Sequence, residues 1–180
     1  MESKQEIRKR MRQLNRALSP EVRTKVSRAL WEAVEQLEAF RSAHTIALFS
    51  ALPDEPDTTE ALCRWSREKA LLVPRVEGEV MHFYPYRPEQ MLPGAFGIEE
   101  PQQGEVADPR TIDLIIVPGV AFTSAGDRMG RGKGFYDKYL IHLRPDATKV
   151  GVCYAHQVVA SLPTEPHDIR MDRLICAPEP

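Results

Sequence analysis

The chain has few cysteines and no long hydrophobic run. Its 180 residues include three cysteines, Cys63, Cys153 and Cys176, which are odd in number and widely spaced. This spacing fits neither a disulfide framework nor a zinc site, so we expect buried free thiols in a reducing compartment. No apolar run approaches the ~18 residues that a membrane span needs, and the charged N-terminus lacks a signal-peptide core. These absences predict a cytoplasmic protein with no membrane partner.

Net charge is low but unevenly distributed. The formal net charge is −2, yet residues 1–28 carry nine Lys and Arg against three Glu, which leaves +6 there and −8 on the rest of the chain. Such a basic segment is most often a solvated face, but it can also meet a polyanion. The length predicts one domain, 1–180, with a basic helical pair over about residues 1–40.

Apolar periodicity predicts alternating helices and strands. Segment 4–18 has a helical face of Ile7, Met11, Leu14 and Leu18, beside a polar flank of Lys4, Arg8, Arg12 and Asn15. Ser19 and Pro20 then predict the start of a second helix. Further helices are predicted at 58–69 and 135–143, and strands at 45–50, 70–74, 80–86, 112–118, 148–154 and 173–176. This alternation indicates an α/β fold with three layers, α/β/α, around a mostly parallel or mixed sheet.

Glycine is concentrated in one place. Four of the ten glycines fall between Gly126 and Gly134, interleaved with Arg128, Arg131 and Lys133. Such a run can wrap backbone N–H groups round an anion while the cationic side chains neutralise it. The segment also lies between a predicted strand and a predicted helix, where α/β proteins bind ligands. The pattern therefore predicts a phosphate-binding loop.

The spacing within this glycine loop excludes two common phosphate-binding motifs. A Walker A loop requires Ser or Thr after Gly132-Lys133, but Gly134 follows. A dinucleotide fingerprint requires a third glycine where Phe135 stands. A flexible surface turn, or an Arg/Gly segment that contacts nucleic acid, remains as an alternative.

Three carboxylates cluster in the loop after the strand at 45–50. Asp57 and Glu60 have the spacing of a capping box for the next helix, which gives Asp57 a structural role. Asp54 and Glu55 have no such role. Glu55 is a candidate for binding an amine- or amide-rich ligand, and the alternative is that both are solvated loop acids.

Segment 87–110 contains four prolines and three glycines and shows little periodicity. A loop of this length in a compact domain is either a ligand lid or disordered. Phe96 and Ile98 favour the ordered alternative.

Several segments match the pattern of one family, and the match runs almost end to end: Lys4–Arg8, Phe49-Ser50 with Asp54-Glu55 and Thr58, Phe96–Pro101, Asp113–Gly119 and Arg128–Asp137. Together they resemble 5-formyltetrahydrofolate cyclo-ligase, also called methenyltetrahydrofolate synthetase. The glycine loop is the specific part of this resemblance, since the short N-terminal Lys/Arg motif would mean little alone.

The resemblance implies an ATP- and Mg²⁺-dependent cyclisation of 5-formyltetrahydrofolate to 5,10-methenyltetrahydrofolate. ADP and phosphate are released, and the formyl oxygen is phosphorylated on the way. The implied partners are ATP and the folate, with or without a polyglutamate tail, and a monomeric protein is expected. No nucleic-acid partner is expected.

The resemblance also implies roles for individual residues. Arg131 and Lys133 stabilise charge during phosphoryl transfer, and Asp137 and Asp168 hold Mg²⁺. The folate contacts are Ser50, Glu55, Arg131, Gly132 and Phe135. The ATP contacts are Lys4, Arg8, Arg128, Gly130, Arg131, Gly132, Lys133, Gly134, Phe135 and Tyr136. Tyr84, Tyr86 and Phe96 either line the pterin slot or pack in the core, and His156 is assigned to the core or to a group behind the site.

Two other functions fit parts of the sequence. One is a different small-molecule ATP-dependent phosphotransferase on the same scaffold. The other is a non-enzymatic nucleic-acid-binding module that uses the glycine loop and the basic helix. The acidic remainder of the chain and the lack of an aromatic stacking platform beside the loop disfavour this second alternative.

Overall fold

A computed structural model describes residues 1–94 and 97–180. The helices are α1 (Lys4–Arg16), α2 (Pro20–Glu35), α3 (Glu38–Ser42), α4 (Thr59–Trp65) and α5 (Phe135–Leu140). The strands are β1 (Thr45–Ala47), β2 (Ala70–Glu77), β3 (Val80–Pro85), β4 (Met91–Pro93), β5 (Glu99–Pro101), β6 (Leu114–Val117), β7 (Ala121–Phe122), β8 (Arg128–Met129), β9 (Thr148–Cys153) and β10 (Arg173–Cys176). No helix in the described residues is long and apolar enough to cross a membrane.

Local capping residues set the starts of the first two helices. At α1 the Ser3 hydroxyl accepts the Glu6 N–H, and the Glu6 carboxylate accepts the Ser3 N–H, which completes a capping box. At α2 the Ser19 hydroxyl accepts the Val22 N–H and Pro20 occupies the first turn, as predicted.

The central sheet has six strands in the order β10-β9-β6-β1-β2-β3. All neighbouring pairs are parallel except β2 and β3, which form an antiparallel hairpin at one edge. The predicted mostly parallel sheet is therefore confirmed. After β1 the chain builds β2 and β3 on one side and then returns to place β6 on the other side of β1. The sheet consequently has a switch point between β1 and β6, and the loops after both strands leave from the same end.

Both faces of the sheet are covered, because alternate residues of its apolar strands face opposite sides. Helices α2, α3 and α4 pack on one face, which receives Ile46, Leu114 and Ile116. Helix α5 packs on the other face, which receives Ala47, Ile115 and Val117. These helices and the sheet form the predicted three layers.

Helix α1 packs outside this sandwich, against the hairpin β7–β8. Its Ile7 and Met11 contact Val120, Met129 and Leu162 in a separate apolar cluster. The predicted apolar face is wrong at its C-terminal end, where Leu14 is 41% exposed. Asn15, predicted on the polar flank, is buried instead, and its Oδ1 lies against Nε2 of His156. At this end of α1 the buried face therefore includes Asn15 and not Leu14, because His156 gives Asn15 a polar partner.

Three further expectations are corrected. Cys63 is exposed, because it lies on the outer side of α4, whereas Cys153 is buried and Cys176 half-buried. The capping box at α4 does not close: Asp57 accepts the Thr59 N–H, while Glu60 pairs with Arg28 and Arg64. The segment 87–110 is not a structureless loop, since β4 and β5 pair as a hairpin. Phe96, which was predicted either to line the pterin slot or to pack in the core, lies outside the described residues.

Candidate active site

The loops after β1 and β6 meet at the switch point of the sheet. Nη2 of Arg131 in the glycine loop lies 3.0 Å from Oδ1 of Asp54 and 3.6 Å from Oε2 of Glu55. Arg131 is more than 70 positions from both acids in the chain. The fold therefore brings the candidate folate-binding loop and the candidate phosphate-binding loop into direct contact.

The loop after β1 is held in place by α2. The Arg23 guanidinium donates to the carbonyl oxygens of Glu55, at 2.9 Å, and Leu52, at 3.1 Å. The Trp31 indole N–H donates to the carbonyl of Asp57 at 2.7 Å, and the Ser27 hydroxyl accepts the Asp57 N–H at 2.9 Å. Because α2 supplies all four bonds, the position of Glu55 is fixed by a packed helix. Such support is what a precise binding residue needs.

Glu55 is a buried carboxylate, 7% exposed, at the base of this loop. Burial raises its pKa, while the Arg131 cation and the Leu52 N–H lower it in part. Its Oε1 accepts the Leu52 N–H at 2.8 Å, and its Oε2 faces Arg131. A ligand with adjacent N–H donors can take the place of Arg131 on Oε2 and donate hydrogen bonds to the Glu55 carboxylate.

The glycine loop uses its glycines for backbone shape. Gly126, Gly132 and Gly134 have φ values of 94°, 103° and 73°, a region that side-chain-bearing residues rarely adopt. At Gly126 a Cβ atom would lie 2.4 Å from the carbonyl oxygen of Met171, so the close approach also requires glycine. Gly134 precedes α5 without a side-chain cap. The loop is thus shaped to keep its backbone accessible between β8 and α5.

Helix α1 reaches the glycine loop through Arg8. Its Nε donates to the carbonyl oxygen of Gly130 at 3.0 Å, and its guanidinium also lies near Gly132. Lys4, one turn earlier, instead pairs with Glu165 at 2.8 Å. The two N-terminal cations predicted at ATP therefore flank the site, but only Arg8 contacts the glycine loop.

Arg128 lies beneath the glycine loop. Its Nε donates to the carbonyl of Pro118 at 2.8 Å, and its guanidinium stands 5.1 Å from the ring centre of Tyr136. Burial lowers the pKa of Arg128, and the negative charges of Asp137 and Asp168 are among those that oppose this change. Arg128 therefore connects the residue that follows β6 with the start of α5.

Asp137, in α5, is hydrogen-bonded to the segment that carries Asp168. The Ile169 N–H donates to Oδ1 of Asp137 at 3.1 Å, and the Glu165 N–H donates to Oδ2 of Asp168 at 2.8 Å. Each carboxylate thus keeps one oxygen that no backbone N–H occupies. Oxygen ligands of this kind suit Mg²⁺, which takes one or two protein carboxylates together with phosphate oxygens and water. The two residues fit the predicted metal role.

A small cavity of about 110 Å³ lies beside these acids, lined by Asp127, Arg128, Thr164, Glu165, Asp168, Ile169 and Arg170. Ligand atoms of Glu165, His167 and Asp168 lie within 4.8 Å of one another. Sequence reasoning gave Glu165 and His167 no role, although the string Glu165-Pro-His-Asp168 brings three candidate ligands together. A hard cation would bind the carboxylate oxygens of Glu165 and Asp168 in preference to the His167 nitrogen.

The remaining predicted residues surround the meeting point of the loops. Ser50 is half-buried just beyond β1, and Phe135 is half-buried at the start of α5. Lys133 is exposed and has no ion pair with any part of the chain that the structure describes. Tyr84 is buried and its hydroxyl donates to Glu77. Tyr86 is partly buried and packs against the core, so both tyrosines have the core-packing role that was the alternative to lining the pterin slot.

Comparison with known proteins gives a consistent result. The chain is 37% identical to the 5,10-methenyltetrahydrofolate synthetase of Aquifex aeolicus, solved by NMR, with a TM-score of 0.87; the similarity covers 98% of this chain and 90% of that one. The curated 5-formyltetrahydrofolate cyclo-ligase of Haemophilus influenzae is 30% identical over 93% of this chain and 94% of its own. The enzyme of that name from Mus musculus is 27% identical over 99% and 95%.

A sequence profile described as the 5-formyltetrahydrofolate cyclo-ligase family matches residues 1–177, nearly the whole chain. Together with the shared fold, this match shows that the chain belongs to the 5-formyltetrahydrofolate cyclo-ligase family of enzymes.

Proposed function

We propose that the protein cyclises 5-formyltetrahydrofolate to 5,10-methenyltetrahydrofolate with ATP and Mg²⁺, releasing ADP and phosphate. The observation that carries this proposal is the contact of Arg131 with Asp54 and Glu55. It places a buried acid suited to a pterin directly beside a cationic glycine loop suited to a triphosphate. Phosphoryl transfer requires donor and acceptor side by side, and the contact between the two loops supports such an arrangement.

The reaction needs activation because the N5-formyl group is an amide and its oxygen is a poor leaving group. Transfer of the γ-phosphoryl group of ATP to that oxygen breaks the bond to ADP and leaves an iminium phosphate. The N10 amine then attacks the formyl carbon, loses its proton, and phosphate departs with the electron pair of the C–O bond. The protein contributes alignment and charge neutralisation, and no protein nucleophile is required.

The residues divide this work between two loops. Glu55 holds the aminopyrimidine edge of the pterin by paired hydrogen bonds, with Ser50 and Phe135 at the same mouth. Arg131 and Lys133 neutralise the charge that develops on the transferring phosphoryl group. Arg8 supports the loop backbone from outside and adds positive charge near the phosphates.

Asp137 and Asp168 would hold Mg²⁺ by Oδ2 of Asp137 and Oδ1 of Asp168, the oxygens left free by the two backbone N–H donors. When bound, this ion neutralises phosphate charge and orients the terminal phosphoryl group. Lys4 does not touch the glycine loop, but its pair with Glu165 steadies the segment that carries Asp168.

The experiment is spectrophotometric. Purified protein, 5-formyltetrahydrofolate and Mg²⁺-ATP are expected to produce the near-ultraviolet absorbance of the conjugated methenyl product, with no change when ATP is omitted. Lys133→Ala should remove most of the rate, whereas Lys25→Ala, an exposed lysine on α2, should not. Absence of the band in folded protein would contradict the proposal.

The alternative, a phosphotransferase on the same scaffold, makes a different prediction. It would leave the phosphoryl group on a stable product, whereas cyclisation liberates free phosphate in equal amount to the methenyl product. Measuring phosphate alongside the absorbance band separates the two. The monomeric state and the cytoplasmic location stay predictions.

A further inference from the structure

Arg131 connects the glycine loop to the loop after β1, because its guanidinium pairs with the carboxylates of Asp54 and Glu55. The side chains of Asp54 and Glu55 are 11% and 9% exposed, while that of Arg131 is 39% exposed. Two nearly buried carboxylates therefore share one cation that lies at the surface of the site.

Asp54 depends on Arg131 more than Glu55 does. Glu55 also accepts the Leu52 N–H through Oε1. For Asp54, Arg131 is the one ion-pair or hydrogen-bonding partner found within residues 1–94 and 97–180. No bond to its own loop occupies the Asp54 carboxylate, so Asp54 has no local capping role of the kind that Asp57 has. Its contact with Arg131 is the feature that needs explanation.

The loop geometry allows Arg131 to change partners while the backbone stays in place. Gly130 and Gly132 flank it, and Gly132 has a φ of 103°. Arg8 holds the carbonyl of Gly130 from the outside. The long side chain of Arg131 can therefore turn without moving the loop that Arg8 fixes.

We propose that Asp54 is a positioning residue that holds Arg131 on the folate side of the site until both substrates are present. A pterin bound to Glu55 takes one of the two carboxylates away from Arg131, and the triphosphate then competes with Asp54 alone. Folate and nucleotide consequently bind with positive coupling, which is reciprocal by thermodynamic necessity. This inference rests on the proposed function, because it needs a folate at Glu55 and a triphosphate at the glycine loop.

The test measures the dissociation constant of the Mg²⁺ complex of a β,γ-imido ATP analogue with and without 5-formyltetrahydrofolate. For the wild-type protein we expect about three- to tenfold tighter nucleotide binding when folate is present. In Asp54→Asn, Arg131 keeps Glu55 as its acid partner but loses Asp54, so nucleotide should bind more tightly than in the wild type both with and without folate. Asp54→Glu keeps the carboxylate and should return nucleotide affinity part of the way to the wild-type value. Asp146→Asn, which removes a surface acid paired with Arg144, is the matched control.

The outcomes separate the two proposals. If the methenyl band forms but folate does not change nucleotide affinity, the inference is overturned and the proposed function stands. Nucleotide binding that is unchanged or weaker in Asp54→Asn also overturns the inference. If the wild-type protein binds no 5-formyltetrahydrofolate and forms no band, both fail. Should Asp54→Asn not fold, the wild-type coupling and Asp54→Glu decide the question.

Discussion

Arg8 and Gly130 are 122 residues apart in the chain, yet Nε of Arg8 donates to the carbonyl oxygen of Gly130 at 3.0 Å. The bond joins α1, a helix outside the main sandwich, to the glycine loop. The basic N-terminal segment therefore contacts the candidate site and is not merely a solvated face.

Removing this bond should weaken nucleotide binding more than it slows the chemical step. We expect Arg8→Ala to raise the KM for ATP about tenfold, as suits the loss of one charge-assisted hydrogen bond, with a smaller change in kcat. Arg12→Ala, on the exposed side of the same helix, is the control. Equal effects of the two variants would show that only general positive charge matters.

Replacing the Glu55 carboxylate should have opposite effects on thermal stability and on folate binding. Burial raises its pKa from the ordinary 4.5, so the folded chain binds this proton more tightly than the unfolded chain. Its contribution to stability is therefore fully present below 4.5 and is lost as pH rises through the folded pKa.

At pH 7 we accordingly expect Glu55→Gln to raise Tm while weakening 5-formyltetrahydrofolate binding about 10- to 100-fold. Thermal melts at pH 4 and pH 7, together with titration of the folate, check both halves. A variant that melts lower at pH 7 would show that the pair with Arg131 outweighs the burial cost.

The two metal candidates should affect the Mg²⁺ requirement. Asp137→Asn and Asp168→Asn each keep an oxygen for the backbone N–H but lose the charge, so the Mg²⁺ concentration for half-maximal activity should rise about tenfold or more. Glu105→Gln, at an exposed position, should leave it unchanged. A fall in rate that excess Mg²⁺ does not reduce would argue for a structural role.

His156 should make the protein sensitive to acid. Burial lowers its pKa from the ordinary 6.5. The ring stacks on Tyr154, and its Nε2 lies beside Oδ1 of Asn15. A lowered histidine pKa contributes stability above 6.5 that is lost as pH falls towards and below the folded value. We expect the drop in Tm between pH 7.5 and pH 5.5 to be smaller in His156→Gln than in the wild type. An identical drop in both would assign the acid sensitivity to other groups.

Several elements could be predicted because their signals are local. The start of α2 follows from Ser19 and Pro20, and the strand β10 begins and ends where the apolar run at Arg173–Cys176 does. The glycine loop was recognised because four glycines and three cationic residues are concentrated in nine positions of the sequence. Helix ends were less accurate: the helix predicted over 135–143 ends at Leu140.

Other features had no local signal. Leu14 is exposed and Asn15 is buried, the reverse of the prediction. The reason is that Nε2 of His156, from a distant part of the chain, lies beside the Asn15 side-chain oxygen. The pairing of β4 with β5 in a proline-rich segment depends on packing against β2, where the Glu100 carboxylate accepts the Val76 N–H at 2.8 Å.

The sequence by itself determined the α/β class, the glycine loop and the acids of the loop after β1, since periodicity and backbone chemistry act over a few residues. Only the tertiary structure decided that Asp54, Glu55 and Arg131 are in contact, and that Arg8 supports the loop while Lys4 pairs with Glu165. The physical reason is the order of the parallel strands: β1 and β6 are neighbours in the sheet although distant in the chain, so their following loops share one end.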